Sequence, residues 1–278
     1  MLTTLYLTAA LFYLLASSLQ WRALQKKLPA NSAINKLAVL AVLFHFTAGW
    51  YDNNSSGIID VSLLHVLSLA ALIMAIIIVA SRIFGQSLLP AGLIAFPITA
   101  IILFTLVVAP DTPLALMHIT TDTRIHVFSS MLAFAMFGVA TVYALFILAL
   151  DYFLRSHRVT SMIEALPPLE VLDKVLLRLV SIGFIALSIG LASGFIFIDN
   201  LFAQHLLHKT VLSLIAWLVF AILIMGRWRY GWRGRTAVRL TLIGMWFLIL
   251  AYFGSKLVLE VFMETGWQQN PAEISQLK

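Results

Sequence analysis

The chain contains no cysteine. That absence excludes a disulfide framework and every thiolate site for zinc or an iron–sulfur cluster. Charge is scarce as well: Asp, Glu, Lys and Arg make up 11% of residues, less than half of the roughly 25% found in an average soluble domain. There is no HExxH, no GxSxG, no Walker glycine loop and no GxGxxG, so the zinc-protease, serine-hydrolase and nucleotide-binding patterns are missing. Only 12 residues are acidic, and Asp60 and Glu260 fall near the ends of apolar runs. An ion-coupled transporter places carboxylates or broken helices near the midplane, so that class is disfavoured. Neither an internal repeat of solenoid length nor a low-complexity tract is visible.

What the chain has is apolar length. Hydrophobic residues make up 62% of it and its mean hydropathy is +0.99. A membrane span needs about 20 apolar residues, and eight such runs can be read, near 2–21, 37–51, 58–80, 88–109, 126–150, 176–198, 208–226 and 238–262. The second is short and holds His45. The expected fold is therefore all-α, a polytopic membrane helical bundle of about eight spans, forming a single integral membrane domain over 1–278. The connections after spans 1, 3, 5 and 7 carry 14 of the 18 Lys and Arg residues; the other side keeps Arg124, Lys209, Lys256 and Lys278. Basic residues stay with the cytoplasmic loops, so both termini are expected outside. The first span has no basic residue before it and three soon after it, the reverse of a secretory signal, and is read as retained.

A net charge of +6 does not indicate nucleic acid here, because the positive residues are the flanks that this orientation requires. The run Arg227-Trp228-Arg229-Tyr230-Gly231-Trp232-Arg233 reads as an interfacial belt touching anionic lipid. The longest polar connection runs from Asp151 to about Lys174 and holds Pro167-Pro168. After it, Leu169 to Val180 is either an amphipathic approach to span 6 or a solvated linker. Span 6 places Gly183, Ala186, Gly190, Ser193 and Gly194 at spacings of three and four, a small-residue face for close helix packing in lipid. Pro90 and Pro97 begin and interrupt span 4, where a kink is expected.

Seven histidines remain. His45 and His65 lie within or near spans 2 and 3, where a hydrogen bond to a neighbouring helix explains them; His157 sits in a basic turn and reads as solvated. His118 falls in the outer connection between spans 4 and 5. The apolar segment from Asp199 to Leu207, which includes His205, is expected to lie along the membrane surface. His126 and His208 differ from these. Each is read as the first residue of an outside-to-inside span, with a cation close by in Arg124 and Lys209. Iron porphyrin needs one or two neutral imidazoles, an apolar slot and cations for its propionates. An ordinary pair of interfacial histidines fits the same spacing, and without cysteine no covalent attachment motif exists.

Three stretches carry a family resemblance. They are Ile125-His126-Val127 with its Ser-, Met- and Ala-rich span; Leu172-Asp173, Arg178, Gly183-Phe184, Gly190 and Gly194; and Lys209, Trp217, Arg227 with the ending Tyr252-Phe253-Gly254. From about His126 to Phe262 the chain resembles the membrane haem-handling proteins of cytochrome c biogenesis, the CcsA and CcmC type, with the HemX-type regulators of haem synthesis as cousins. The first four spans add only a compatible hydropathy. Within the resemblance His126 carries over as the first outer axial ligand. The family's tryptophan-rich outer loop does not carry over: Phe195 to Thr210 has no tryptophan and keeps only Lys209. Counting along the motifs, the family's inner histidine falls on Met225 and its second outer histidine on Met263.

The resemblance implies non-covalent haem b at the outer face of a bacterial inner membrane, serving haem trafficking, cytochrome c assembly or regulation of haem synthesis. His126 and His208 would be the axial ligands, with Met263 the alternative second ligand. Arg124 and Lys209 would hold propionates and Trp217 would pack near the site. No catalytic side chain is required. The expected partners are haem, membrane lipids and another membrane protein. The rival reading is a haem-free relative acting as a membrane interaction or assembly partner, favoured by the lost tryptophan loop and by Met225 and Met263.

Overall fold

The computed structural model describes residues 1–26, 32–54, 59–60, 62–81, 88–109, 116–117, 121–156, 167–197 and 204–254. Among the described residues eight α-helices follow in order: α1 (Leu2–Gln25), α2 (Ser32–Asn54), α3 (Leu63–Ala80), α4 (Gly92–Val108), α5 (Thr121–Arg155), α6 (Leu169–Phe197), α7 (Gln204–Tyr230) and α8 (Arg235–Ile249). A 3₁₀ turn, Leu89–Ala91, leads into α4, and a π turn, Leu250–Gly254, prolongs α8. Two short strands, β1 (Ile59–Asp60) and β2 (Leu116–Met117), pair antiparallel and tie the α2–α3 connection to the α4–α5 connection.

Helix is what a bilayer imposes, because it satisfies every backbone N–H and C=O within one segment. Seven of the helices are long and apolar enough to cross a membrane; the shorter α4 has 17 residues. The protein is thus a polytopic helical bundle. The run expected over 37–51 is in fact the 23-residue α2. Its polar ends, Asn35 and Lys36 on one side and Asp52 to Asn54 on the other, hid its length. The residues from Leu169 to Val180 are no solvated linker: they form the first turns of α6 and bury Leu172, Asp173, Leu176, Leu179 and Val180.

The first four helices pack on one another, α1 against α2 and α4, and α3 against α2 and α4. Of the other four, α6 and α8 pack on α5 and α7 packs on α6 and α8; α5 also touches α3 and so joins the two halves. Pro97 lies inside α4. Having no N–H, it leaves the Leu93 carbonyl without its helical donor, and the Ser17 hydroxyl of α1 donates to that oxygen at 3.3 Å. The α5–α6 contact runs along the small-residue face foreseen for span 6. A Cβ on Gly183 would sit 3.0 Å from the Phe137 ring and 3.2 Å from Cβ of Met136. Phe137 stacks in turn on Phe220 of α7, centroids 3.7 Å apart, and Phe220 fills the room left by Gly244 of α8.

Candidate functional site

His126 and His208 stand in the second turns of α5 and α7, so neither is the first residue of its helix as its apolar run implied. For His126 the consequence is large. The early turns of α5 lie against the late turns of α6, and the imidazole enters the gap left by the small residues of that helix. His126 Nδ1 is 2.8 Å from the Gly190 carbonyl oxygen and 3.5 Å from Ser193 Oγ. Gly194 makes the close approach possible, since a Cβ there would lie 3.1 Å from His126 Cε1.

A carbonyl oxygen only accepts, so Nδ1 carries a proton, and in the neutral ring it is Nε2 that keeps the lone pair. The Ser193 hydroxyl already donates to the same carbonyl at 2.9 Å. One turn deeper, the hydroxyls of Ser129 and Ser130 face the space above Gly190. The π turn after α8 brings Tyr252 to Ser130 and to the Phe134 ring, 5.4 Å between centroids. Around this end of α5 and α6, Ile125, Phe128, Phe195 and Ile196 are all exposed. The imidazole is therefore held by Nδ1, the nitrogen nearer the backbone, next to an apolar and aromatic surface.

The remaining assignments fare unevenly. The side chains of Arg124 and His208 lie outside the described residues, as do His118, His157, the loop 199–203, Lys256 and Met263. Lys209 is partly buried in the second turn of α7. Trp217 is not brought against His126. Its indole N–H donates to Ser188 Oγ at 2.9 Å and its ring stacks on Phe184. At about 100° per residue, Ser188 is nearly opposite Gly190 on α6. Met225 is 69% exposed on the outside of α7. Of the aromatic and basic belt at 227–233, Trp228 and Tyr230 are exposed as expected, but Arg227 is turned inward. It donates to Asp173 Oδ2 at 2.7 Å and to the Trp232 carbonyl at 2.9 Å. The Gly234 N–H donates to the other Asp173 oxygen at 3.1 Å. Gly231 and Gly234 both have positive φ, which lets this turn close over the pair.

The first four helices hold a polar cluster of which only the histidines were expected. His45 lies between Tyr13 Oη, 3.4 Å from Nδ1, and Ser68 Oγ, 2.9 Å from Nε2. His65 joins Ser62 at 2.8 Å and Asp52 at 3.1 Å, and Asp52 also accepts from Tyr6. Both histidines thus bond neighbouring groups through both nitrogens, as a structural role demands. Tyr6, Tyr13 and Asp52 had no signal of their own beyond a carboxylate near the end of an apolar run. Among the described residues no group of three His, Asp or Glu side chains could cage a metal ion. A porphyrin sets a lower demand, since it brings four of the iron's ligands itself and asks for one or two axial ones.

Comparison with known proteins agrees with this architecture. The cytochrome c assembly protein family matches over residues 55–263. Inner membrane protein YpjD of Escherichia coli K12 is 33% identical over 201 residues, 72% of this chain and 75% of that protein. An uncharacterised 28.8 kDa protein of Azospirillum brasilense is 32% identical over 141 residues, 50% of this chain and 52% of that one. The cytochrome c biogenesis protein CcsA of Synechococcus sp. CC9605 is 28% identical over 100 residues, 35% of this chain and 33% of its own. No solved structure matches. The family match begins ahead of α3, so the likeness reaches further towards the N-terminus than the motifs from His126 to Phe262 marked.

Proposed function

Since the chain belongs to the cytochrome c assembly protein family, we propose that it binds haem b non-covalently in the bacterial inner membrane. The site is at the outer face, where α5 begins, and serves haem trafficking, cytochrome c assembly or control of haem synthesis. One observation carries the reading: His126 donates a hydrogen bond from Nδ1–H to the Gly190 carbonyl. Metal-ligating histidines are commonly held in this way, by a backbone acceptor that fixes the tautomer and leaves Nε2 for the metal. The exposed Phe128, Phe195 and Ile196 at this end of the bundle suit the edge of a flat apolar ring.

His126 is the first axial ligand in this proposal. His208, in the corresponding turn of α7, is the second, ahead of Met263. Arg124 and Lys209 neutralise propionates. Trp217 belongs to the α6–α7 contact and supports the site only through the packing of α6. Bound haem supplies one-electron chemistry. The chain's own part is to orient the imidazole, shield the ring and offer cations.

Protein purified in mild detergent, with haem supplied, is expected to show a Soret band. His126→Ala should abolish it, and His208→Ala should lower the haem content or convert the spectrum to a five-coordinate one. Met263→Leu should change neither, because imidazole binds iron in both oxidation states whereas a thioether favours the ferrous state. A spectrum lost in Met263→Leu and kept in His208→Ala would reverse that assignment. Protein that takes up no haem at all would leave the interaction-partner reading, which the exposed Met225 in place of the family's inner histidine favours.

A further inference from the structure

At the opposite end of α5 from His126, a cavity of about 340 Å³ opens between α5 and α8, lined by Leu148, Asp151, Tyr152, Arg235 and Arg239. We propose that it holds the headgroup of an anionic glycerophospholipid, whose acyl chains run along the groove between the two helices. Asp151 gives one oxygen to Arg155 at 2.9 Å and the other to Arg235 at 2.7 Å, so its charge is already met twice over. Arg239 makes no hydrogen bond or ion pair among the described residues and is exposed at the cavity. The site carries excess positive charge, and a phosphodiester accepts what a guanidinium fork donates.

The surface leading away from the cavity is apolar. On α8, Arg239 is followed at helical spacing by Ile243, Trp246 and Ile249, all exposed, while Val238, Thr241, Met245 and Leu248 are buried. On α5, Tyr152 is preceded by Leu148 and Leu145, also exposed. Two apolar stripes therefore start from one cationic cavity on antiparallel neighbours. Trp246 lies about 10 Å along the helix axis from Arg239, at the depth of upper acyl carbons when the guanidinium is at the phosphate. A soluble phosphate compound would use the cavity and have no use for the stripes. Basic pockets between spans on the positively flanked side are where anionic headgroups bind.

The test compares the full-length wild type, Arg239→Gln and Ile243→Asn in nanodiscs of phosphatidylcholine with a small fraction of phosphatidylglycerol, followed by native mass spectrometry. Wild type should retain phosphatidylglycerol in preference to phosphatidylcholine. Arg239→Gln should cut that retention about fivefold, the weight of one basic side chain at an anionic surface. Ile243→Asn should also lower it, with both variants unfolding at the wild-type temperature in pure phosphatidylcholine. Equal retention by wild type and Arg239→Gln overturns the proposal. So does a wild type stabilised as much by inorganic phosphate as by phosphatidylglycerol, which would make the cavity a phosphate site.

Discussion

Three histidines in one bundle meet two different fates, and their partners decide which. His45 and His65 spend both nitrogens on side chains of other helices or turns, whereas His126 is held by one nitrogen on a backbone carbonyl. The glycine beneath it is therefore a sensitive position. Gly194→Val should crowd the imidazole and cost about 1–3 kcal/mol, the usual range for overpacking, read as a lower unfolding temperature in detergent. Gly49→Ala is the control, since nothing lies within 4 Å of a Cβ there, and it should be neutral or slightly stabilising. The buried pair Asp173–Arg227, side chains 6% and 12% exposed, makes a second residue-scale prediction. Removing either partner strands a charge and should cost about 3–5 kcal/mol. The double variant Asp173→Ala with Arg227→Ala should cost clearly less than the sum of the two, measured as a double-mutant cycle of unfolding. Additive losses would mean that the pair is not coupled.

Among the elements, α5 and α6 dominate. Their small-residue seam brings α5 close enough for His126 to reach the α6 backbone, so packing and site are one feature. Gly183 should tolerate substitution poorly: Met136 Cβ, 3.2 Å from a Cβ placed there, is fixed by its own helix and cannot swing away. Gly183→Val is expected to separate α5 from α6 and lower both the unfolding temperature and, through His126, haem uptake. Gly231→Ala lies in the α7–α8 turn at positive φ with nothing near a Cβ. It should lower stability while leaving haem uptake intact, which separates loss of the seam from general loss of stability. Leu169 to Val180 looks too polar for a span, yet its apolar residues bury one face while Glu170 and Lys174 pair with each other in solvent.

For the whole molecule, the basic residues gather where α5 ends and α8 begins, and His126 lies at the other end of α5. The distribution of 14 basic residues against 4 predicts that this basic end is cytoplasmic and that a reporter fused after Lys278 is exposed outside the cytoplasm. A C-terminal fusion active only in the cytoplasm would invert the bundle and move His126 to the inner face. The proposed lipid site depends on the basic cavity itself, so its phosphatidylglycerol preference should survive such an inversion.

The sequence by itself determined that this is a multi-pass helical membrane protein, because hydropathy and charge placement are properties read along the chain and a bilayer admits few solutions to them. It also marked His126 and the small-residue face of α6, since helical spacing alone puts Gly183, Ala186, Gly190, Ser193 and Gly194 side by side. Tertiary structure decided what those residues meet. That Nδ1 of His126 finds the Gly190 carbonyl, that Arg227 turns from the lipid to Asp173, and that Trp217 faces away from His126 all depend on how each helix is rotated about its axis. Rotation is set by contacts between residues 29 to 64 positions apart, and at about 100° per residue a shift of two positions carries a side chain to nearly the opposite face. A linear pattern shows which face is small or polar; only the packed bundle fixes what that face touches.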